Sequence, residues 1–222
     1  MIDTLFISKE LEKSSVLKAF CVEQGITIEA HSFLSFEPVA IQQEITSEVL
    51  FFTSKRAVTY FFKQVPLPLN TLIACIGNAT AESLHNLGIK VDFSAVNSGN
   101  PREVATELTS WLGKKSITFV TAKRSANSIL DLLPVSQVEQ VCVYETIINA
   151  ISIPTIFDAY IFTSPSNLEG FLKLNTIPET ARLIAWGETT ATAMCDLGLE
   201  PTSTLRTSSE KELVQCLTIF FI

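Results

Sequence analysis

Thr53-Ser54, in Phe52-Thr53-Ser54-Lys55-Arg56, returns 110 residues later as Thr163-Ser164, in Phe162-Thr163-Ser164-Pro165-Ser166, and the likeness of these two turns decides how the chain is read. At the same offset Phe61 returns as Phe171, Lys63 as Lys173, Gly77 as Gly187, Thr80-Ala81 as Thr190-Ala191, and Leu87-Gly88 as Leu197-Gly198. The matched residues are mostly small or hydroxylated and follow apolar runs, which is where a chain turns from strand into helix. A weaker repeat at an offset of 113 aligns Phe6-Ile7-Ser8 with Phe119-Val120-Thr121, Ser15-Val16-Leu17 with Ser128-Ile129-Leu130, and His31 with Tyr144. Solenoid repeats run to ~20–50 residues, so a period of this length marks a duplicated unit of domain size. The copies cover roughly residues 2–112 and 115–222.

Working outward from the turns, short apolar runs of strand length lie at 5–8, 26–30, 49–52, 72–76, 117–121, 141–144, 159–162 and 183–186. Helical stretches at 11–23, 57–64, 79–87, 103–111 and 189–197 separate them. Strict alternation of strand and helix predicts α/β architecture, parallel sheets with helices on both faces, each copy a small doubly wound unit. Ser164 before Pro165 reads as an N-cap with proline at the first helical position, and Ser54 holds the same place in the first copy. Asn78 reads as the N-cap of the helix that Gly88 ends, and Gly198 closes its partner.

Composition narrows the functional classes. Hydrophobic residues make up 47% and charged residues 18%, against a usual ~25%, so the chain is globular with much buried surface. The acid in Met1-Ile2-Asp3-Thr4 does not suit a secretory leader, and no uncharged apolar run nears the ~18 residues of a membrane span. A soluble, cytoplasmic protein with no membrane association is expected. Cys21, Cys75, Cys142, Cys195 and Cys216 are scattered and odd in number, which fits reduced, buried thiols. His31 and His85 lack neighbouring ligands at metal spacing, so no metal site is expected. A net charge of −7 argues against a nucleic-acid partner.

In a parallel sheet the Thr-Ser and Gly-x-x-Thr-Ala turns sit at the carboxyl ends of strands, the edge where open α/β proteins bind ligands. Helix N-termini carry unpaired N–H groups and positive partial charge, each contributing ~0.3–1 kcal/mol toward an anion when exposed. Several together favour a polyanion even in an acidic protein. They also serve as ordinary caps in any α/β fold. Neither Gly-x-x-x-x-Gly-Lys-Ser/Thr nor Gly-x-Gly-x-x-Gly occurs, which leaves nucleotide binding unsupported.

Phe51-Phe52-Thr53-Ser54-Lys55-Arg56-Ala57-Val58, Ile76-Gly77-Asn78-Ala79-Thr80-Ala81, Val143-Tyr144-Glu145-Thr146, Phe162-Thr163-Ser164-Pro165-Ser166 and Gly187-Glu188-Thr189-Thr190-Ala191 together resemble the uroporphyrinogen-III synthase family. The resemblance runs along essentially the whole chain. It implies a cofactor-free, metal-free enzyme, a cyclising hydro-lyase of tetrapyrrole (haem-type) biosynthesis. Its substrate would be hydroxymethylbilane, closed with inversion of ring D through a spirocyclic intermediate and loss of water. It also implies two similar doubly wound domains joined by a two-segment linker with a cleft between them: 1–36 with 149–222, and an inserted 37–148. Crossings would fall at 35–38 and 149–152 and act as a hinge.

The same resemblance assigns roles. Tyr144 would be the acid that assists departure of the hydroxyl, since a phenol with a reference pKa near ~10 is protonated at neutral pH; Thr80 would join it. Thr53, Ser54, Arg56, Gly77, Asn78, Ser164, Ser166, Gly187, Thr189 and Thr190 would bind substrate. Two departures stand out: Ser8-Lys9 follows the first strand where many members carry arginine, and Glu188 stands where relatives are uncharged. Lys123 and Arg124 are candidates to compensate, or begin a solvated helix. A monomer is expected, with a transient contact to the deaminase that makes the substrate; the apolar tail 219–222 is a candidate contact surface. The competing class is a two-lobed, non-catalytic anion-binding or regulatory protein on the same fold.

Overall fold

The computed structural model describes residues 2–96, 99–125 and 128–219; of the apolar tail, Phe220, Phe221 and Ile222 lie outside the described residues. The first stretch of chain forms β1 (Thr4–Ile7), α1 (Val16–Gln24), β2 (Thr27–Ala30), β3 (Leu34–Pro38), β4 (Val49–Phe52), α2 (Lys55–Phe62) and β5 (Leu72–Cys75). It continues through α3 (Asn78–His85), β6 (Phe93–Ser94), α4 (Pro101–Leu112), β7 (Ile117–Ala122) and β8 (Val138–Ile148). The last part is β9 (Ala159–Phe162), α5 (Pro165–Leu172), β10 (Arg182–Ala185), α6 (Glu188–Cys195), β11 (Ser203–Thr204) and α7 (Glu210–Thr218).

Two sheets result, ordered β11-β10-β9-β1-β2 and β3-β8-β7-β4-β5-β6. Pairings from β11 through to β2, and from β8 through to β6, are parallel. Under the two sequence offsets β9, β10, β11, β1 and β2 become β4, β5, β6, β7 and β8, so the sheets share one topology. The chain separates into two compact units: unit 1 is Met1–Ser35 with Ile147–Ile222, and unit 2 is Phe36–Thr146. Both boundaries fall inside strands, β3 and β8. Asn149 N–H donates to Phe33 O at 2.7 Å beside the crossing.

Burial explains why these strands read as continuous apolar runs. β4 (Val-Leu-Phe-Phe) and β9 (Ala-Tyr-Ile-Phe) are buried at every position, because helices cover both faces of a parallel sheet. In unit 2, Val49 and Phe51 point with Phe119 toward Val104, Leu108 and Leu112 of α4. Leu50 and Phe52, one residue out of phase, meet Val58 and Phe61 of α2 and Leu84 of α3. In unit 1, Leu5 and Ile7 pack on Leu17 and Cys21 of α1 and Leu213 and Leu217 of α7. Phe6 faces the other way, onto Leu168 and Phe171 of α5 and Met194 of α6. Each such side chain contributes about 1.5–3 kcal/mol by leaving water.

Helix ends follow local chemistry, with three corrections. The helix expected from residue 11 starts at Val16, because Ser15 supplies the cap by accepting the Lys18 N–H at 3.1 Å. Asn78 is not a cap: Gly77 holds the capping position with extended backbone and no side-chain bond, and Asn78 is already helical. Among the described residues Lys123 and Arg124 begin no α-helix, and the helical turns between β7 and β8 are the short 3-10 turns Leu130–Leu132 and Val135–Gln137. The expectation of buried thiols holds for Cys21 and Cys75, whereas Cys195 is exposed; all five are free. Burial pushes the Cys21 thiol up to about 11.

Candidate functional site

In unit 2 the chain proceeds from β4 to β5 and β6 on one side, then returns as β7 and β8 on the other. The order reverses between β4 and β7, and the crevice above the carboxyl ends of two such strands is where an open sheet accepts a ligand. Thr53 seals the base of that gap: its N–H and its hydroxyl both donate to Val120 O, at 3.3 and 2.9 Å. Ser54 follows in extended conformation and its Oγ accepts the Ala57 N–H at 3.1 Å, capping α2. A crevice of ≈ 320 Å³ opens here, lined among others by Thr53, Ser54, Thr121, Arg124, Tyr144 and Thr146. A second, more open hollow touches Thr53, Ser54, Lys55, Arg56 and Thr80, so the start of α2 borders both.

Tyr144 reaches this crevice from β8 and is held on several sides. Its ring stacks on Tyr60 (centroids 5.4 Å apart, 21° between planes) and meets Phe36 edge-on at 6.1 Å. Tyr60 is itself fixed, its hydroxyl donating to Phe36 O at 2.7 Å. The Tyr144 ring is buried, and its hydroxyl oxygen lies 3.4 Å from Ser54 Oγ. Arg56 is committed to the same assembly, its guanidinium 3.7 Å above the Phe36 ring, a cation–π contact.

The other expected residues occupy the same strand edge of their sheets. Gly77 and Thr80 are buried and Asn78 is exposed at the start of α3. In unit 1, Ser164 caps α5 by accepting the Asn167 N–H at 3.2 Å, with Ser166 in the first turn. Gly187 caps α6 with its backbone; Glu188 and Thr189 are exposed and Thr190 is buried. Thus the structure gathers Thr53, Ser54, Arg56, Gly77, Asn78, Thr80 and Tyr144 at one edge. Ser164, Ser166, Gly187, Thr189 and Thr190 lie at the equivalent edge of unit 1.

The switch point of unit 1, between β9 and β1, is filled by the protein's own side chains. Ser8, fully buried, accepts the Thr163 N–H at 2.8 Å, and the Thr163 hydroxyl donates back to Ser8 O at 2.8 Å. Asn167, also buried, donates to Thr163 Oγ1 and accepts the Phe33 N–H at 2.9 Å. Beside this, Glu210 at the start of α7 accepts from Ser15 Oγ (2.6 Å), Lys9 Nζ (2.9 Å) and the Leu17 N–H (3.4 Å). Burial acts to raise the Glu210 carboxyl, but the bonds from Ser15, Lys9 and Leu17 outweigh it and hold the group below the ordinary range. Lys9, the cation next to the position where an arginine was expected, is therefore neutralised internally. Lys123 is likewise paired, with Glu145 at 2.9 Å.

Tyr60, Phe36, Asn167 and Glu210 went unnoticed in the sequence. Two carried a signal: under the offset of 110, Asn167 replaces Ala57 and Gly170 replaces Tyr60, so both break the repeat. Among the described residues no three His, Cys, Asp or Glu side chains gather where they could hold a metal ion, and no helix is long and apolar enough to cross a membrane.

Fold and site define an open-sheet α/β protein of two like units, with helix N-termini at the strand edges and a tyrosine-bearing, hydroxyl-lined crevice in one of them. The chain belongs to the uroporphyrinogen-III synthase HemD family, whose model matches residues 15–215. A crystal structure of uroporphyrinogen-III synthetase from Helicobacter pylori superposes with a TM-score of 0.74 at 20% identity, covering 99% of this chain and 100% of that one. A mutant uroporphyrinogen III synthase from the extreme thermophile Thermus thermophilus gives 0.57 at 14% identity, covering 97% of each. At these identities the likeness is one of fold. Comparison with curated protein sequences gives no match.

Proposed function

We propose that this protein cyclises hydroxymethylbilane to uroporphyrinogen III, inverting ring D through a spirocyclic intermediate and releasing water. Family membership over residues 15–215 supports the reaction, and the crevice holding Tyr144 beside Ser54 is the observation that carries the mechanism. Tyr144 protonates the departing hydroxyl as the pyrrole nitrogen expels it, giving water and an azafulvene. Ser54 Oγ, 3.4 Å away, is placed to exchange the proton afterwards. The substituted carbon of ring D then attacks the azafulvene, the spirocycle fragments, and the freed arm recloses on the unsubstituted position. Because the bilane closes unaided to the uninverted isomer, the protein acts mainly by fixing conformation.

Carboxylates of the bilane bind at the helix N-termini, to Thr53, Ser54, Arg56, Gly77 and Asn78 in unit 2 and to Ser164, Ser166, Gly187, Thr189 and Thr190 in unit 1. Thr80, at the hollow beside Ser54, bonds the leaving oxygen. The reaction as proposed needs neither metal nor cofactor. The protein works as a cytoplasmic monomer that takes its labile substrate from the deaminase through a transient contact. Incubation with freshly generated hydroxymethylbilane, oxidation, and separation of type I from type III uroporphyrin tests the proposal. Type III in excess of the blank supports it; type I alone overturns it.

A further inference from the structure

The duplication supplies a control for the unit 2 crevice. In unit 1 the segment from the end of β1 to the start of α1 holds a carboxylate: Lys9 Nζ, Ser15 Oγ and the Leu17 N–H all donate to Glu210. The offset of 113 carries this segment onto 122–130 of unit 2, where Ser128 matches Ser15 and Leu130 matches Leu17. Of these, Arg124, Ser125, Ser128 and Leu130 line the open crevice, yet no carboxylate is among the described residues there. Where α7 opens with Ser209-Glu210-Lys211, α4 opens with Asn100-Pro101-Arg102, capped by Asn100 on itself. Among the described residues that line the crevice none is acidic, and the one that is charged is Arg124. Lys123 next to it is paired with Glu145, whereas no ion pair engages Arg124 among the described residues.

The geometry points to a carboxylate subsite in unit 2, formed by Arg124 with the hydroxyls of Ser125 and Ser128, occupying the place that Glu210 fills in unit 1. The ligand class is a carboxylate side arm of the substrate, a reading that rests on the function proposed above. Arg124 is a binding residue, apart from the Tyr144 chemistry, and its guanidinium suits a planar carboxylate in a two-pronged contact. The hydroxyls supply the shorter bonds that Ser15 supplies to Glu210. Unit 1 has a hollow of ≈ 380 Å³ at this place, but Glu210 already occupies its donors Lys9 and Ser15, and Glu10 and Glu12 also line it, so it does not suit a second carboxylate.

The test compares wild type with Arg124→Gln, Arg124→Lys and, as a control for net charge, Lys114→Gln. Two readouts are used: steady-state formation of type III product, and direct binding of uroporphyrin III by quenching of tryptophan fluorescence. Arg124→Gln is expected to raise KM about tenfold with kcat lowered less than threefold, and to weaken uroporphyrin III binding by a similar factor. Arg124→Lys recovers part of the loss, and Lys114→Gln matches wild type. Unchanged KM and unchanged porphyrin binding in Arg124→Gln, or an equal loss in Lys114→Gln, would overturn the subsite. An inactive wild type would remove the proposed function instead, and the porphyrin-binding comparison would still decide the subsite.

Discussion

Units 1 and 2 share a sheet order, two strand-to-helix turns and the residues that make those turns, yet they treat the same position oppositely. At the switch point of unit 1, Ser8, Thr163 and Asn167 bond to one another, and Phe33 lies against Gly170. At the switch point of unit 2 the corresponding residues are Thr121, Thr53, Ala57, Thr146 and Tyr60. There the bulk sits on the helix, as Tyr60, rather than on the segment just before β3, as Phe33. That exchange of one aromatic gives Tyr144 a ring to stack on and leaves space above β4 and β7. One copy spends its polar groups on itself, and the other leaves them facing a crevice. Duplication followed by such divergence yields binding chemistry without any new fold.

The largest effect is expected where the copies differ most in packing. Phe6 makes ring contacts with Phe33, Phe157, Tyr160, Phe162 and Phe171, while its counterpart Phe119 has Phe51 as its aromatic neighbour. Phe6→Ala should cost about 3–5 kcal/mol and Phe119→Ala about 3 kcal/mol, measured by urea unfolding. Equal losses would mean that the aromatic cluster adds nothing beyond burial.

Chemistry provides the next comparison. Tyr144→Phe keeps the stack on Tyr60 and removes the hydroxyl, so type III formation should fall about 100-fold. The same change at the matching position, His31→Phe, should leave turnover within about twofold. Equal activity of Tyr144→Phe and wild type would reduce Tyr144 to packing.

Gly170→Ala probes the aromatic exchange directly. An added Cβ would lie 2.5 Å from Phe33 Cβ and 3.1 Å from Asn149 O, so unit 1 should lose about 1–3 kcal/mol. In unit 2 the same position carries Tyr60 without conflict, and a neutral Gly170→Ala would show that unit 1 can yield as easily.

The smallest effect concerns Glu210. Its carboxyl is held below the ordinary glutamate value of ~4.3, so its contribution is present above that pH and is lost as pH falls through the depressed native value. Glu210→Gln should therefore lower stability by about 1–2 kcal/mol at pH 7, as befits charge-assisted bonds at a partly exposed position. The gap between variant and wild type should narrow as the pH is taken below about 4. A gap independent of pH would point to lost shape instead of lost charge.

The turns were legible because small and hydroxyl residues at strand ends have few other uses. Thr53-Ser54, Gly77, Ser164 and Gly187 begin helices within a residue of where the sequence puts them. β4 and β9 were legible as unbroken apolar runs. β6 and β11, two residues each, were not, since Phe93-Ser94 and Ser203-Thr204 are strands only by pairing with a neighbour. β3 escaped notice because Leu34–Pro38 is only partly covered and its Pro-ended pattern resembles a loop. At the site, Tyr144 could be named from its family resemblance, but its supports could not. Tyr60 touches it from α2, 84 positions earlier in the chain, and Glu210 reaches Lys9 across 201 positions, distances that no local pattern encodes.

The insertion of unit 2 into unit 1 also dictates an order of birth. During synthesis β1, α1 and β2 emerge first, but β9, the strand that completes their sheet, begins at Ala159. All of unit 2, Phe36–Thr146, leaves the ribosome in the meantime, roughly 5–20 s at ~5–20 residues per second. Through that interval Phe6 has Phe33 but lacks Phe157, Tyr160, Phe162 and Phe171, the aromatic partners that later complete its burial. Unit 2, continuous in the chain, closes its core first, so the half with the crevice is the nascent protein's earliest finished part.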